Sequence, residues 1–564
     1  MNRPTVLAIE ALAAVLVGVA WIVALSGGWR PELFGVSVSV RAVWRPLVVA
    51  CGLVAARWWA TRVEVSRARA FSDAAARICA GGALVAAVLG WLTYLSPYVG
   101  GADSYGYVSA SERLRSGSLI QHEPLADVLP YDLAILPATP IGYVPAARVS
   151  NASVPTYPLG FPALIAISAT LFGSRSIFFV PLGMAVVLVA TCYWLVLRWT
   201  GDRIVVLTAG AAVGWHPVVF AYAIQMMSDV PATAFYMLAA ALLTTTRSLS
   251  AAIAGVAGGG ALLIRPALLP GIGALALIPW TSGENRRNRI VIFGVAIVAS
   301  IGAQASLQWY LYGSPFANGY GSSAELFSIR FLPDNVRSYA HWIGAMHGVI
   351  WIAGLAAGLF AKPRPAALAL LSATAIGAIV PYSVYRPYDH WETQRFLLPL
   401  LVMATLIAVM GMFAFARRFL PRAGTWVALA LVIVLIGTWT RWLAREQVFT
   451  LARAEQRFSE AGELVARVTP ERSVILASLH SGSLRYYAHR STIDWARVPP
   501  GQLDATVAAL VGNGDAVFLM LDGDEERSEF EARHGHAVDE QGWLPSGQRR
   551  DVRLYQFPAA AALP

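Results

Sequence analysis

Apolar runs dominate the chain, and their length repeats. Stretches of about 20 apolar residues, enough for a helix to cross bilayer hydrocarbon, start at residue 5 and recur to about residue 443. Candidate spans fall at about 5–26, 46–60, 72–96, 159–173, 176–198, 203–222, 229–247, 251–264, 266–281, 289–312, 340–361, 365–385, 395–416 and 424–443. The pattern predicts an α-helical polytopic membrane protein. The first run is too long for the core of a signal peptide, so it reads as an uncleaved first helix.

After about residue 444 the texture changes. "SVILASLH" (473–480) and "DAVFLML" (515–521) are apolar runs of strand length, and "VRLYQF" (552–557) closes the pattern. Between them, "GQLDATVAALVGNG" and "DEERSEFEARHG" carry helical spacing. Alternating strands and helices predict a small α/β domain. The expected division is therefore 1–443 for the membrane part, including a long loop at 97–158, and 444–564 for the α/β part. That loop is too long for a simple connection. It holds "SASERLRSGSL", a short helix by pattern, and then a proline-rich stretch.

Composition agrees: 57% of residues are hydrophobic and 13% charged, against about 25% charged in soluble domains. Residues 1–443 hold 30 Lys and Arg against 16 Asp and Glu, and residues 444–564 hold 13 against 17. The basic surplus thus belongs to the membrane part, where it anchors cytoplasmic loops, and no nucleic-acid motif accompanies it. Arginines cluster at 57–69, 284–289, 362–364 and 417–422. The positive-inside rule puts these on the cytoplasmic side, and the 97–158, 313–339 and 386–394 loops and the C-terminal part outside. An inward N-terminus and outward C-terminus require an odd number of crossings, so 14 candidates imply about 13, with 159–198 making one net crossing. Cys51, Cys79 and Cys192 all sit in apolar segments, without metal or redox spacing.

Charged side chains near hydrocarbon usually face a cavity or a partner. Four groups lie at expected outer-face positions. Asp103 stands in the glycine-rich "YVGGADSYGYVSASERL" (98–114), where the backbone can approach a ligand closely. Asp229 lies in "IQMMSDVPATAF", Arg265 in "LLIRPALLP", and Arg386, Asp389, His390, Glu392 and Arg395 in "YRPYDHWETQRFLLP" (385–399). Plainer roles stay open. Asp229 can simply start the helix at Val230–Pro231, Arg265 can snorkel to the interface, and the 386–395 charges can pair in a solvated loop. "HSGS" (480–483) has a histidine and two serines but no acid in sequence to orient the ring; it reads as a strand-to-helix turn capped by Ser481 or Ser483. Together the charges suggest an outward-facing cavity. Carboxylates there can take a proton from a hydroxyl or hold a divalent cation, and arginines can hold a phosphate.

Seven segments carry a family resemblance in fixed order: "GGADSYGYVSASERLRSGSL" (100–119), "YPLGFPALIAISATLFG" (157–173), "QMMSDVPA" (225–232), "LLIRP" (262–266), "LYGSPFANGYGSSAELF" (311–327), "YDHWETQRFLLP" (388–399) and "LASLHSGSLRYYAHR" (476–490). The chain resembles the GT-C superfamily, polytopic glycosyltransferases that use polyprenyl-phosphate-linked sugars. Its members include protein O-mannosyltransferases, the aminoarabinose transferase of lipid A and oligosaccharyltransferase. The resemblance implies a bacterial cytoplasmic (inner) membrane enzyme whose catalytic carboxylate in the first outer loop maps onto Asp103. A second acid, Asp229, maps onto the metal or phosphate site. Many relatives carry two adjacent acids or Asp-x-Asp at the first position. Here Ser104 and Tyr105 follow Asp103, so the choice between a base alone and a base with Mg or Mn stays open.

The expected activity is inverting sugar transfer from a polyprenyl-phosphate donor to an acceptor hydroxyl of an envelope glycan, lipid or protein, with Asp103 as general base. Tyr105, Arg265, Tyr320, Arg386, Asp389, His390 and Arg395 are the expected substrate- and phosphate-binding residues, and Asp103 and Asp229 the expected metal ligands. The rival is a polytopic transporter or flippase of a lipid-linked or envelope precursor, which predicts broken helices and inverted repeats. A third reading is an assembly or sensor protein.

Overall fold

The structure is a computed structural model that describes residues 3–557 except 27–31, 34–35, 38–39, 41, 61–66, 282–284, 322, 362, 536–537 and 539–542. Part of the arginine-rich 57–69 segment, residue 284 and Lys362 therefore lie outside the described residues. Among the described residues, eight helices are long and apolar enough to cross a membrane, or nine if the bent pair Arg203–Trp215 and Pro217–Ala223 is one span. The other membrane-part candidates are shorter: Trp44–Ala55, Gly160–Phe172, Asp229–Leu243, Ser248–Ile264 and Pro266–Trp280. A helix of 13 residues such as Gly160–Phe172 rises about 20 Å, short of the ~30 Å of hydrocarbon. The expected total of about 13 thus depends on how these short pieces are counted.

Burial follows the pattern of each helix. Leu398–Phe419 is apolar on every face and sits in the middle of the bundle, as an all-round apolar helix must. It packs on Leu332–Phe360, Gly424–Arg445 and Arg203–Trp215. Arg286–Tyr312 lies at the rim and turns Val291, Val295 and Val298 outward, a face suited to lipid. Asp229–Leu243 packs on Ser248–Ile264, which packs in turn on Arg286–Tyr312. The Gly160 side of the next helix meets the end of this layer. A Cβ at Gly160 would lie 2.5 Å from the Leu263 carbonyl carbon, so only glycine lets the two backbones touch there. A charge inside the bundle is paired: Arg77 donates to both oxygens of Glu10 at 2.9 and 2.8 Å.

The C-terminal region folds as a five-stranded sheet in the order Ser491–Ile493, Ser473–Leu476, Ala516–Asp522, Val552–Gln556, Leu544–Arg549. The first three strands are parallel and the last two antiparallel. Ser473–Leu476 is buried throughout, as a parallel strand covered on both faces should be. Helices Leu503–Gly512 and Gly523–His534 lie where the sequence pattern puts them.

The 97–158 segment has structure of its own. Its helix begins at Gly101 and runs to Ser116. A three-stranded antiparallel sheet follows, with Ala152–Pro155 between Gln121–His122 and Tyr143–Pro145. Leu125, Leu129 and Ala138 then share one apolar core with Trp495, Leu503 and Leu519 of the C-terminal sheet region. Arg485 closes the junction, donating to Glu123 at 2.7 Å and to the Ala138 carbonyl at 2.6 Å. These contacts join residues more than 340 positions apart, which a local pattern cannot reveal.

The "HSGS" turn also differs from its sequence reading. An acid does orient the ring: Asp522 lies 3.1 Å from His480 Nε2, and Arg457 lies 3.1 Å from the same carboxylate. Neither serine caps the helix, because the Ser483 hydroxyl donates back to the His480 carbonyl and the Ser481 hydroxyl to that of Ser478. Ser483 is fully buried, so the array braces the strand-to-helix turn. Burial would raise Asp522, but the His480 hydrogen bond and the charges of His480 and Arg457 outweigh it and hold Asp522 below its ordinary value. Glu526, which accepts the Asp522 N–H, goes the other way: burial holds it up at about 7 against an ordinary 4.5.

This sets a pH dependence. Below pH 4.5 Glu526 is neutral in both folded and unfolded chains. Between 4.5 and about 7 the unfolded chain ionises and the folded one resists, so stability falls as pH rises. Hydrogen–deuterium exchange across 516–534 in the detergent-solubilised protein should become faster, beyond the intrinsic pH effect, from pH 5 to pH 8. The Glu526→Gln variant should lose that extra slope.

Candidate active site

A cavity of about 300 Å³ opens where the 97–158 segment meets the membrane helices. Asp103, Arg265, Tyr320 and Arg395 line it, together with Tyr107, Tyr157, Tyr382 and Tyr385. Each comes from the end of an element. Asp103 occupies the first turn of the Gly101–Ser116 helix, where the free N–H groups favour a negative charge. Arg265 ends the Ser248–Ile264 helix in an extended conformation, ahead of Pro266. Arg395 lies in the Trp391–Leu397 turn that enters the central helix.

The charges pair across these ends. Arg395 Nη1 is 3.6 Å from Asp103 Oδ2, with both side chains partly exposed to the cavity. Arg265 Nη2 is 2.7 Å from Asp229 Oδ1, and the Asp229 side chain is wholly buried. That contact is an ion pair without hydrogen-bond geometry; neither Asp229 oxygen has a hydrogen-bond partner among the described residues. Asp229 therefore sits behind Arg265 rather than on the cavity wall. The Phe396 ring lies between the guanidiniums, 5.7 Å from Arg265 Cζ and 5.3 Å from Arg395 Cζ, and Tyr222 lies 5.8 Å from Arg395 Cζ. Two cations are thus held close together, stacked on aromatic faces, with one edge of each directed at the cavity.

Tyrosines line much of the rest of the cavity. The Tyr107 hydroxyl is 3.0 Å from Ser228 Oγ, and its ring packs on Tyr157 at 4.8 Å and Phe161 at 4.9 Å. Tyr157 meets Tyr320 edge-on at 5.8 Å. Burial, and then the Asp103 charge, push the Tyr157 phenol far above its ordinary value. It stays protonated and can only donate to the Asp103 carboxylate.

The other expected residues lie elsewhere. Tyr105 is buried against Tyr143 at 5.9 Å, off the cavity. Arg386 is exposed and touches the cavity loop through its backbone N–H, which donates to the Leu326 carbonyl. Asp389 accepts from Trp342 Nε1 at 2.9 Å. His390 lies 3.6 Å from Glu392 and caps the following turn. None of these four lines the cavity. Sequence reasoning passed over Tyr107, Tyr157, Tyr382, Gln304 and Gln308, all lining residues. For the two glutamines a signal existed: polar residues four apart inside an apolar span.

The two carboxylates expected to hold a cation are separated, Asp103 on the cavity wall and Asp229 behind Arg265. Each already faces a guanidinium, and among the described residues no three His, Cys, Asp or Glu side chains converge as ligands.

The helical architecture is shared with membrane proteins of known structure. The particular similarity is to the apo crystal structure of ArnT from Cupriavidus metallidurans, at a TM-score of 0.51 and 13% identity over 86% of this chain and 98% of that one. The apo oligosaccharyltransferase of Archaeoglobus fulgidus aligns at 0.48 and 12% identity, over 82% of this chain and 72% of that one. No protein-family model matches the chain, and no curated protein matches it in sequence.

Removing one partner of the buried pair strands the other. Arg265→Ala should cost about 3–5 kcal/mol of stability, read as a lower thermal midpoint in detergent. Adding Asp229→Asn should recover at least half of the lost midpoint. A double variant no more stable than Arg265→Ala would show that the pair carries no coupling.

Proposed function

We propose that the protein transfers a sugar from a polyprenyl-phosphate donor to an acceptor hydroxyl, on the outer side of a bacterial cytoplasmic membrane. The observation that carries this reading is the convergence of one carboxylate, Asp103, and two arginines, Arg265 and Arg395, on a single tyrosine-walled cavity. The shared fold and the ordered sequence segments support it. Sidedness draws on one more feature. Arg395 and Arg417 lie at opposite ends of the central helix, whose 22 residues span about 33 Å. The arginine-rich end, where Arg417 pairs with Asp202 at 2.6 Å, is thus a bilayer thickness from the cavity.

In the proposed step the acceptor hydroxyl gives its proton to the Asp103 carboxylate. Its oxygen attacks the anomeric carbon, and the bond from that carbon to the phosphate oxygen breaks with its electron pair on the phosphate. Arg265 and Arg395 meet the charge that develops there. Attack from the face opposite the phosphate inverts the anomeric centre. Arg395 contacts Asp103 as well, so it links the base to the leaving group. Asp229 holds Arg265 in place, and no step is routed through a cation.

A flippase or transporter is the second reading, and one observation favours it. Among the described residues two helices break within the membrane part: by 63° between Trp215 and Pro217, and at Gly348. Buried His216 and His347 lie 4.9 Å apart there. Broken helices line the paths of many transporters, although neither histidine lines the cavity.

Purified protein given polyprenyl-phosphate sugars and acceptor lipid or glycan should form glycosylated product. Asp103→Asn should lower kcat by about 10²–10⁴ with the fold retained, and transfer at the wild-type rate would sink the assignment. EDTA should leave the rate within about twofold, since arginines already occupy both carboxylates. Lipid translocation in vesicles with no glycosylated product would favour the second reading.

A further inference from the structure

The cavity wall also carries uncharged polar groups, on a helix whose other face is turned outward. Gln304 and Gln308 project from Arg286–Tyr312 into the cavity. They are four residues apart, about 6 Å along the helix and on one face. Both are half-buried, and among the described residues neither has a protein hydrogen-bond partner. Half-buried amides on a cavity wall with no protein partner are free to bond with whatever enters the cavity.

Asn318 joins them from the loop that follows the helix. Its Oδ1 accepts the Tyr320 N–H at 2.9 Å, which leaves its NH₂ group free for a ligand. The loop is fixed by close backbone contact, since a Cβ at Gly319 would stand 2.3 Å from the Thr156 carbonyl oxygen. Tyr157 and Tyr320 line the same cavity and meet edge-on.

The ionised side chains on the wall are already committed. Among the described lining residues they are Asp103, Arg265 and Arg395. Asp103 is paired with Arg395 and Arg265 with Asp229, and in the proposed step the edges that both guanidiniums turn to the cavity are taken by the donor phosphate. A sugar ammonium has donors only and would need a free carboxylate; a sugar carboxylate would need a free guanidinium. Wherever the donor displaces water from the wall, an unpaired charge is penalised. A hydroxyl both donates and accepts, and so does a glutamine amide.

We propose that the donor sugar is an uncharged aldose whose hydroxyls are read by Gln304, Gln308 and Asn318, so that donors bearing an ammonium or a carboxylate are rejected. This rests on the glycosyltransferase reading above and narrows its substrate class.

The test compares three synthetic polyprenyl-phosphate donors: an uncharged aldose, the same sugar with one hydroxyl replaced by a primary amine, and the corresponding uronate. Binding is measured by microscale thermophoresis on the unaltered full-length protein in detergent without acceptor, with sugar-free polyprenyl phosphate as reference, and turnover on the same protein with acceptor added. The uncharged donor should bind at least about tenfold more tightly than either charged one. Gln304→Ala and Gln308→Ala should each raise its Kd about tenfold while the Kd of sugar-free polyprenyl phosphate moves less than twofold. A merely structural role would move both. Gln308→Glu should shift preference toward the aminated donor. Equal or tighter binding of a charged donor by the unaltered wall would overturn this inference and leave the glycosyltransferase reading standing. If no donor is bound more tightly than sugar-free lipid and none is turned over, the parent reading falls as well.

Discussion

A carboxylate can stay ionised at the edge of hydrocarbon only if a cation is held against it, and the Asp229–Arg265 pair is where this protein meets that demand most completely. Asp229 begins one helix and Arg265 ends the next. Their 2.7 Å contact brings a helix start and a helix end to the same point. With Asp229 fully buried, Arg265 has little freedom: its charge must point to that carboxylate, and its remaining edge faces the cavity. Phe396 then sets the spacing to Arg395, and Arg395 sets the position of Asp103. The site is a chain of ion pairs and aromatic stacks, each fixing the next.

The second constraint comes from outside the bundle. The turn before Asp103 is pinned by the C-terminal region: the Val99 N–H donates to the Tyr487 hydroxyl at 2.8 Å, and Gly100 abuts the Phe458 ring so closely that a Cβ would overlap it at 1.9 Å. Gly482 receives the Tyr105 ring in the same way. Tyr105 therefore serves the site by anchoring the helix that carries Asp103, instead of by touching a ligand. Phe458 also packs on His480, ring to ring at 4.8 Å, which ties the braced "HSGS" turn to the same junction. The strand-to-helix turn, the junction and the base are mechanically continuous.

Much of this was legible in the chain. Apolar runs of bilayer length reported the membrane helices, because their side chains must match hydrocarbon whatever they pack against. Period and run length reported the C-terminal strands, because parallel strands are buried on both faces. Isolated charges beside spans pointed to Asp103, Asp229, Arg265 and Arg395, because a charge near hydrocarbon carries a cost that demands a partner. The identity of that partner was not legible. Asp229 and Arg265 are 36 positions apart, Asp103 and Arg395 nearly 300, and only the packing of helix ends brings them together. For the same reason Asp389 and His390 resemble Arg395 in sequence, yet Asp389 turns to Trp342 while Arg395 turns inward. A chain's local pattern determines what a residue can tolerate around it; which neighbours it receives is decided by long-range close packing, and that exists only in the folded molecule.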